Sequence, residues 1–149
     1  MLINSWLFML NFLPSAVIGC FSLLLYIVNT ILWLIPILIF SLCKALVPLP
    51  LWQKTFSYLL DQMATNWVLF NTFNQKLFTK TKIKVTGLEK LKMKDWYLVI
   101  SNHQSWVDIL VLQRLLHGKI PFLKFFLKKE LIYVPLLGLA WWALDFPFM

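Results

Sequence analysis

The sequence predicts an α/β protein. An N-terminal pair of helices, one hydrophobic and one amphipathic, precedes the first part of a largely parallel sheet-and-helix core. Three observations lead there. No charged residue occurs before Lys44. From residue 51 onward apolar residues recur at steps of three, four and seven. Beyond Lys80 short apolar runs alternate with a longer helical pattern, as in chains that build parallel sheets. The change of pattern divides the chain into a helical region, 1–79, and a sheet-forming region, 80–149.

The elements follow in order. Ile18 to Leu42 supplies the roughly 20 apolar residues that a membrane-crossing helix needs, with Pro36 as a kink point. Leu2 to Leu13 reads as a second, interfacial piece or as one arm of a hairpin broken near Pro14. A secretory signal peptide fits poorly, because no basic segment precedes an apolar run of this length. Val47-Pro48-Leu49-Pro50 breaks the chain. Trp52, Phe56, Leu59, Met63, Trp67, Phe70 and Leu77 then mark an amphipathic helix over about 51–78, with Lys54, Asp61, Gln62, Asn66 and Asn74 mostly between them. Ile83 to Thr86 reads as an edge strand, Gly87-Leu88-Glu89 as a turn, and Trp96 to Ile100 as a buried strand. Trp106 to His117 reads as a helix stopped by Gly118. Ile120 to Phe126 reads as a second core strand, Pro135 to Leu144 as a short apolar helix, and Phe146 onward as the start of another strand. Three or four strands and two short helices leave an apolar sheet face uncovered, so the sequence carries the expectation that the chain is cut short.

Composition narrows the function. Sixty per cent of the residues are hydrophobic and only 13% charged, which suits a membrane-associated chain better than an ordinary soluble domain. The formal charge of +8 is concentrated, with seven lysines and one acid, Glu89, between Lys76 and Lys94. Beside so apolar an N-terminus, an anionic membrane surface is the better partner for these lysines, and nucleic acid is not expected. Because every lysine follows the apolar run or closes it, the positive-inside rule puts the remainder of the chain in the cytoplasm. Cys20 and Cys43 lie in apolar sequence and read as buried thiols. The two histidines, His103 and His117, have no cysteine at ligand spacing, so no metal is expected.

The chemistry concentrates in Ser101-Asn102-His103-Gln104-Ser105-Trp106-Val107-Asp108. Five residues separate His103 from Asp108, which would put them about 140° apart on a helix. The spacing suits a strand end that hands over to a helix start, where open α/β sheets place their active sites. Ser105 with Asp108 also fits a capping box. The two readings are compatible, since a capped and fixed carboxylate is also a good orienter for an imidazole. His117, at a predicted helix C-terminus, reads as structural.

Asn102-His103 with Asp108 resembles the H-x4-D motif of the 1-acylglycerol-3-phosphate (lysophospholipid) acyltransferase family. Val85-Thr86-Gly87-Leu88-Glu89 is similar to that family's lead-in. Lys128-Lys129-Glu130-Leu131 and Val134-Pro135-Leu136-Leu137-Gly138 are similar to the stretch between its first and second motifs. The run Gly138 to Met149 most resembles the inner-membrane acyltransferases of the YihG type. The resemblance implies a membrane-anchored enzyme that moves a fatty acyl group from acyl-CoA or acyl-carrier protein to a lysophospholipid hydroxyl. It implies His103 as the base, Asp108 as its orienter, Asn102, Ser105 and Gly138 as substrate-binding residues, and no cofactor. It further implies a bacterial inner membrane, with membrane phospholipids as partners and the catalytic part on the cytoplasmic side. Against the family pattern, the arginine of the second motif and the later Glu-Gly-Thr/Ser-Arg stretch do not occur before Met149. The competing expectation is a non-catalytic, truncated membrane protein that binds lipid or a partner.

Overall fold

A computed structural model describes residues 14–78, 83–102 and 104–149. The segment Leu2–Leu13 lies outside the described residues, apart from its flanking Pro14. Among the described residues four α-helices carry the fold: α1, Ser15–Leu46; α2, Pro50–Phe78; α3, Trp106–Leu116; and α4, Leu137–Ala143. Short 3₁₀ turns at Leu88–Lys90 and Lys129–Tyr133 connect them.

Helix α1 is long and apolar enough to cross a membrane, with a mean hydropathy of 2.5 over its best window, of which only 6% is buried inside the protein. Its last carbonyls are closed from α2. Gln53 Nε2 donates to the carbonyls of Lys44 (2.6 Å) and Val47 (2.7 Å), and Trp52 Nε1 donates to that of Cys43 (2.8 Å). Those carbonyls would otherwise be orphaned at the helix end. Pro48 forces extended backbone on Val47 (φ −126°, ψ 110°) and so ends α1. Pro50 opens α2, where its missing N–H costs nothing.

The two helices form an antiparallel hairpin with a polar seam. Ser22 and Asn74 exchange hydrogen bonds of 3.2 and 3.0 Å. Asn29 Nδ2 donates to Asn71 Oδ1 (2.8 Å) and to the Trp67 carbonyl (3.1 Å), and Trp67 Nε1 donates to Thr30 Oγ1 (3.3 Å). In its last turns α2 therefore buries Asn71, Thr72, Asn74 and Gln75 and leaves Leu69, Phe70 and Phe73 exposed. The apolar positions picked out by periodicity do not form its buried face there. Asn71 and Asn74 turn inward to meet Asn29 and Ser22, and the apolar residues beside them turn outward.

The expected parallel sheet is not present: the described residues are helical, with no strand among them. Trp96, Leu98 and Ile100, read as a buried strand, are 98%, 75% and 87% exposed. Ile83–Thr86 and Ile120–Phe126 are likewise outside any strand. The closest approach to a sheet is one parallel bridge between Leu127 and Phe148, with Leu127 N–H donating to the Pro147 carbonyl and Met149 N–H to the Leu127 carbonyl, both at 2.9 Å. A strand is stable only when a neighbour takes up its amides and carbonyls. The local pattern at 96–100 favours extended backbone, but no described segment pairs with it.

The core forms instead between the hairpin and α4. Ile37, Leu60 and Ala64 meet Ala140, Ala143 and Leu144, with Trp33, Leu34, Phe122 and Phe146 packed around them. Leu136, which precedes α4, has φ 65° and ψ −47°, and the Leu137 N–H reaches back to the Pro135 carbonyl at 2.7 Å. This is a three-residue γ-turn of the strained hand.

Candidate active site

The site is built at the N-terminus of α3. Ser105 is the N-cap in extended backbone (φ −146°, ψ 163°), and Asp108 occupies the third helical position of a capping box. Asp108 Oδ2 accepts the backbone N–H of Gln104 at 2.8 Å and of Ser105 at 2.9 Å, and the Ser105 hydroxyl at 3.3 Å. These bonds fix the carboxylate against the turn, where the helix dipole also favours its charge. At the other end, His117 is the C-cap and Gly118 takes φ 70°.

Of the residues singled out by sequence, the structure gathers Asn102, Ser105 and Asp108 in this one turn, with Asn102 and Ser105 exposed. His103 lies outside the described residues. Gly138 lies elsewhere, buried in α4 against the 3₁₀ turn. A Cβ there would stand 2.6 Å from the Ile132 carbonyl carbon and closer still to its oxygen. Close packing of two backbone segments accounts for this glycine.

Two features of the surroundings had no signal in the sequence. The first is an apolar cavity of about 370 Å³ between the hairpin and the 106–146 region. Thr30, Trp33 and Ile37 of α1 line one side, Ile109 and Leu110 of α3 and Trp141 of α4 the others. Ile109, the residue after Asp108, is among its lining residues. The second is a charged cluster at the far end of α1. Lys44, 5% exposed, donates to the Ala143 carbonyl and to Asp145 Oδ1, both at 2.7 Å. Ser57 donates to Asp145 Oδ2 at 3.1 Å, and Lys124 lies 3.2 Å from Asp61 and 3.9 Å from Asp145. Burial pushes the Asp61 carboxyl above the usual carboxylate range, and the Lys124 ammonium offsets part of that rise.

Comparison with known proteins bears on the segment that holds the turn, α3 and α4. Residues 82–149 match the family model described as Acyltransferase. No curated protein and no solved structure matches the chain. The match supports an acyltransferase role for the segment, and with it a transferase enzyme that handles an acyl donor and a lipid acceptor. The Ser101–Asp108 stretch, α3, Gly138 and Asp145 all fall inside the matched segment, whereas α1 and α2 precede it.

Proposed function

We propose that the protein transfers a fatty acyl group from a thioester, acyl-CoA or acyl-carrier protein, to the free hydroxyl of a lysophospholipid of the 1-acylglycerol-3-phosphate type. The observation that carries this reading is the family match over 82–149, because it encloses Asn102-His103 and Asp108. In the reaction the acceptor hydroxyl loses its proton to His103 as its oxygen attacks the thioester carbonyl. The tetrahedral adduct collapses, the thiolate leaves, and the proton passes from His103 to the departing sulfur. A neutral imidazole titrates near working pH and suits both roles. Asp108 orients the ring and stabilises the imidazolium, with the substrate hydroxyl standing where a serine protease keeps its serine.

Two features support the assignment. Asp108 is held by the N–H of Gln104, the residue after His103, so the carboxylate is fixed within the turn that carries the base. The apolar cavity has the next residue, Ile109, in its lining and, at about 370 Å³, lies within the roughly 300–1,000 Å³ of small-molecule sites. Its lining suits the hydrocarbon tail of the donor. Asn102 and Ser105, close to His103 in sequence, are exposed and are the groups we assign to the thioester carbonyl. The exposed apolar surface of α1 and the lysine run support a membrane location for the protein; the bacterial inner membrane, with the catalytic part on the cytoplasmic side, is the location we assign by resemblance.

The test is acyl transfer by membranes carrying the protein, with labelled acyl-CoA or acyl-carrier protein as donor and lysophosphatidate as acceptor. His103→Ala should lower the rate by about 10²- to 10⁴-fold without releasing the protein from the membrane. Equal rates for variant and parent would sink the enzymatic reading in favour of a lipid- or partner-binding protein.

A further inference from the structure

The apolar cavity has a buried amide in its wall. Its lining carries no charged side chain, and apart from aromatic rings its polar residues are Thr30 of α1 and Gln113 of α3. Gln113 is 8% exposed, and its side chain has no hydrogen-bond partner among the described residues. Other buried polar side chains differ in this respect: Lys44, Asn71, Asn74 and Gln75 each make at least one hydrogen bond. Thr72 also lacks a partner, but it does not line the cavity. On the α1 wall the Thr30 hydroxyl accepts Trp67 Nε1 at 3.3 Å, while Trp33 Nε1 is buried with no acceptor.

A buried amide is costly unless something meets it. Water fits this cavity poorly, because a buried water needs about two to four polar partners and the lining offers few. An oxygen carried on a hydrocarbon chain fits better. The chain covers the apolar walls, and the oxygen meets an amide that can both donate and accept. Few, fixed polar groups in an apolar pocket are what give such sites their specificity. Gln113 lies on the same face of α3 as Ile109, about 7.5 Å along the axis from Asp108 at 1.5 Å per residue. The oxygen it meets therefore sits within the chain and not at the reacting carbonyl.

We propose that Gln113 is a specificity-determining residue that selects a fatty chain bearing a hydroxyl along its length over the plain chain. This rests on the reading that the cavity holds the donor's hydrocarbon tail, and it adds which tail. A purely apolar pocket rejects an added hydroxyl only weakly, whereas a site that hydrogen-bonds a hydroxyl discriminates against the analogue without it.

The experiment uses the full chain in lipid nanodiscs, with empty nanodiscs as the blank, and needs no turnover. Palmitic acid, and palmitic acids hydroxylated at successive single positions, compete against a fluorescent fatty acid. Its binding is read by energy transfer from the tryptophans of the cavity wall, Trp33, Trp67 and Trp141. The parent should bind a chain hydroxylated away from the carboxyl end roughly five- to tenfold more tightly than palmitic acid, the worth of one neutral hydrogen bond. Gln113→Met keeps the length of the side chain without its amide and should reverse that order. Gln113→Leu should do the same, so a folding defect in one variant does not decide the result. A preference that survives both variants overturns the inference. So does the absence of any preference in the parent, which would leave the amide to water in a smaller pocket that Gln113 also borders. The same chains as CoA thioesters test the underlying reading separately. Selective binding without transfer of any chain overturns acyl transfer and upholds the role of Gln113. Failure of every chain to compete overturns both the inference and the assignment of the cavity.

Discussion

The pair Lys44 and Asp145 joins the apolar hairpin to the segment 82–149, and the two partners should respond unequally to removal. The Lys44 side chain is 6% exposed and that of Asp145 51%. In Asp145→Asn the shape and the left-handed backbone (φ 56°) are tolerated, but a buried ammonium keeps only the Ala143 carbonyl and a neutral amide. Breaking a buried pair by removing one charge typically costs about 3–5 kcal/mol, and the surviving hydrogen bond argues for the lower end. In Lys44→Met the buried stem is preserved. The remaining carboxylate is half in water and still has Ser57 at 3.1 Å and Lys124 at 3.9 Å. The loss is then chiefly one hydrogen bond to a buried carbonyl, about 1–2 kcal/mol. Thermal unfolding in mild detergent, followed by tryptophan fluorescence, measures the difference. For a chain of this size each kcal/mol corresponds to about 2–4 °C in Tm, so Asp145→Asn should melt about 3–8 °C below Lys44→Met. The double variant should melt near Lys44→Met, since it leaves no charge stranded. A larger loss for Lys44→Met, or no loss for either, would refute the buried pairing.

Other substitutions read separate parts of the account. Gly138→Ala should destabilise by about 1–3 kcal/mol, the usual penalty for overpacking, because the neighbour that must yield is the Ile132 backbone; an unchanged Tm would contradict the close approach. Asp61 titrates in the opposite sense to a salt-bridged carboxylate. Its raised value means that the folded chain keeps the proton to higher pH than the unfolded chain does. Ionised Asp61 therefore withholds stability above its folded value, and that stability returns as pH falls toward the unfolded value. The stability of Asp61→Asn relative to the parent should accordingly rise as pH increases above about 4, the unfolded value; a fall would contradict the dominance of burial over Lys124.

The parts of the fold set by local rules could be read from the residues. Absence of charge and apolar periodicity marked the two long helices, Pro48 and Pro50 marked the break between them, and Ser105, Asp108 and Gly118 marked both ends of α3. What the residues could not show were the features made by pairing over distance. Trp96-Tyr97-Leu98-Val99-Ile100 satisfies every local preference of a strand, yet strand is a relation between two segments, and the described residues give it no partner. The inward turn of Asn71 and Asn74 depends on Asn29 and Ser22 standing opposite. Lys44 and Asp145 lie 101 residues apart, and no spacing rule connects them. The same holds for the cavity, whose walls come from α1, α3 and α4. The capping turn of Ser105 and Asp108 was legible because it is local, whereas the close approach of Gly138 to Ile132 was not, because it is made by packing.

His103 and Asp108 are proposed to act as one base, and a double-mutant cycle on the rate of acyl transfer tests that pairing. Asp108→Asn keeps the side-chain shape, so the cycle compares His103→Ala, Asp108→Asn and the double variant at saturating donor and acceptor, with Tm recorded for each. Residues that act as a unit give strongly non-additive losses. A working pair gives a large loss for His103→Ala, a smaller one for Asp108→Asn, and a double variant no slower than His103→Ala by more than about twofold. Losses that multiply would mean that Asp108 serves only as the cap of α3, and the proposed pairing of base and orienter would be wrong.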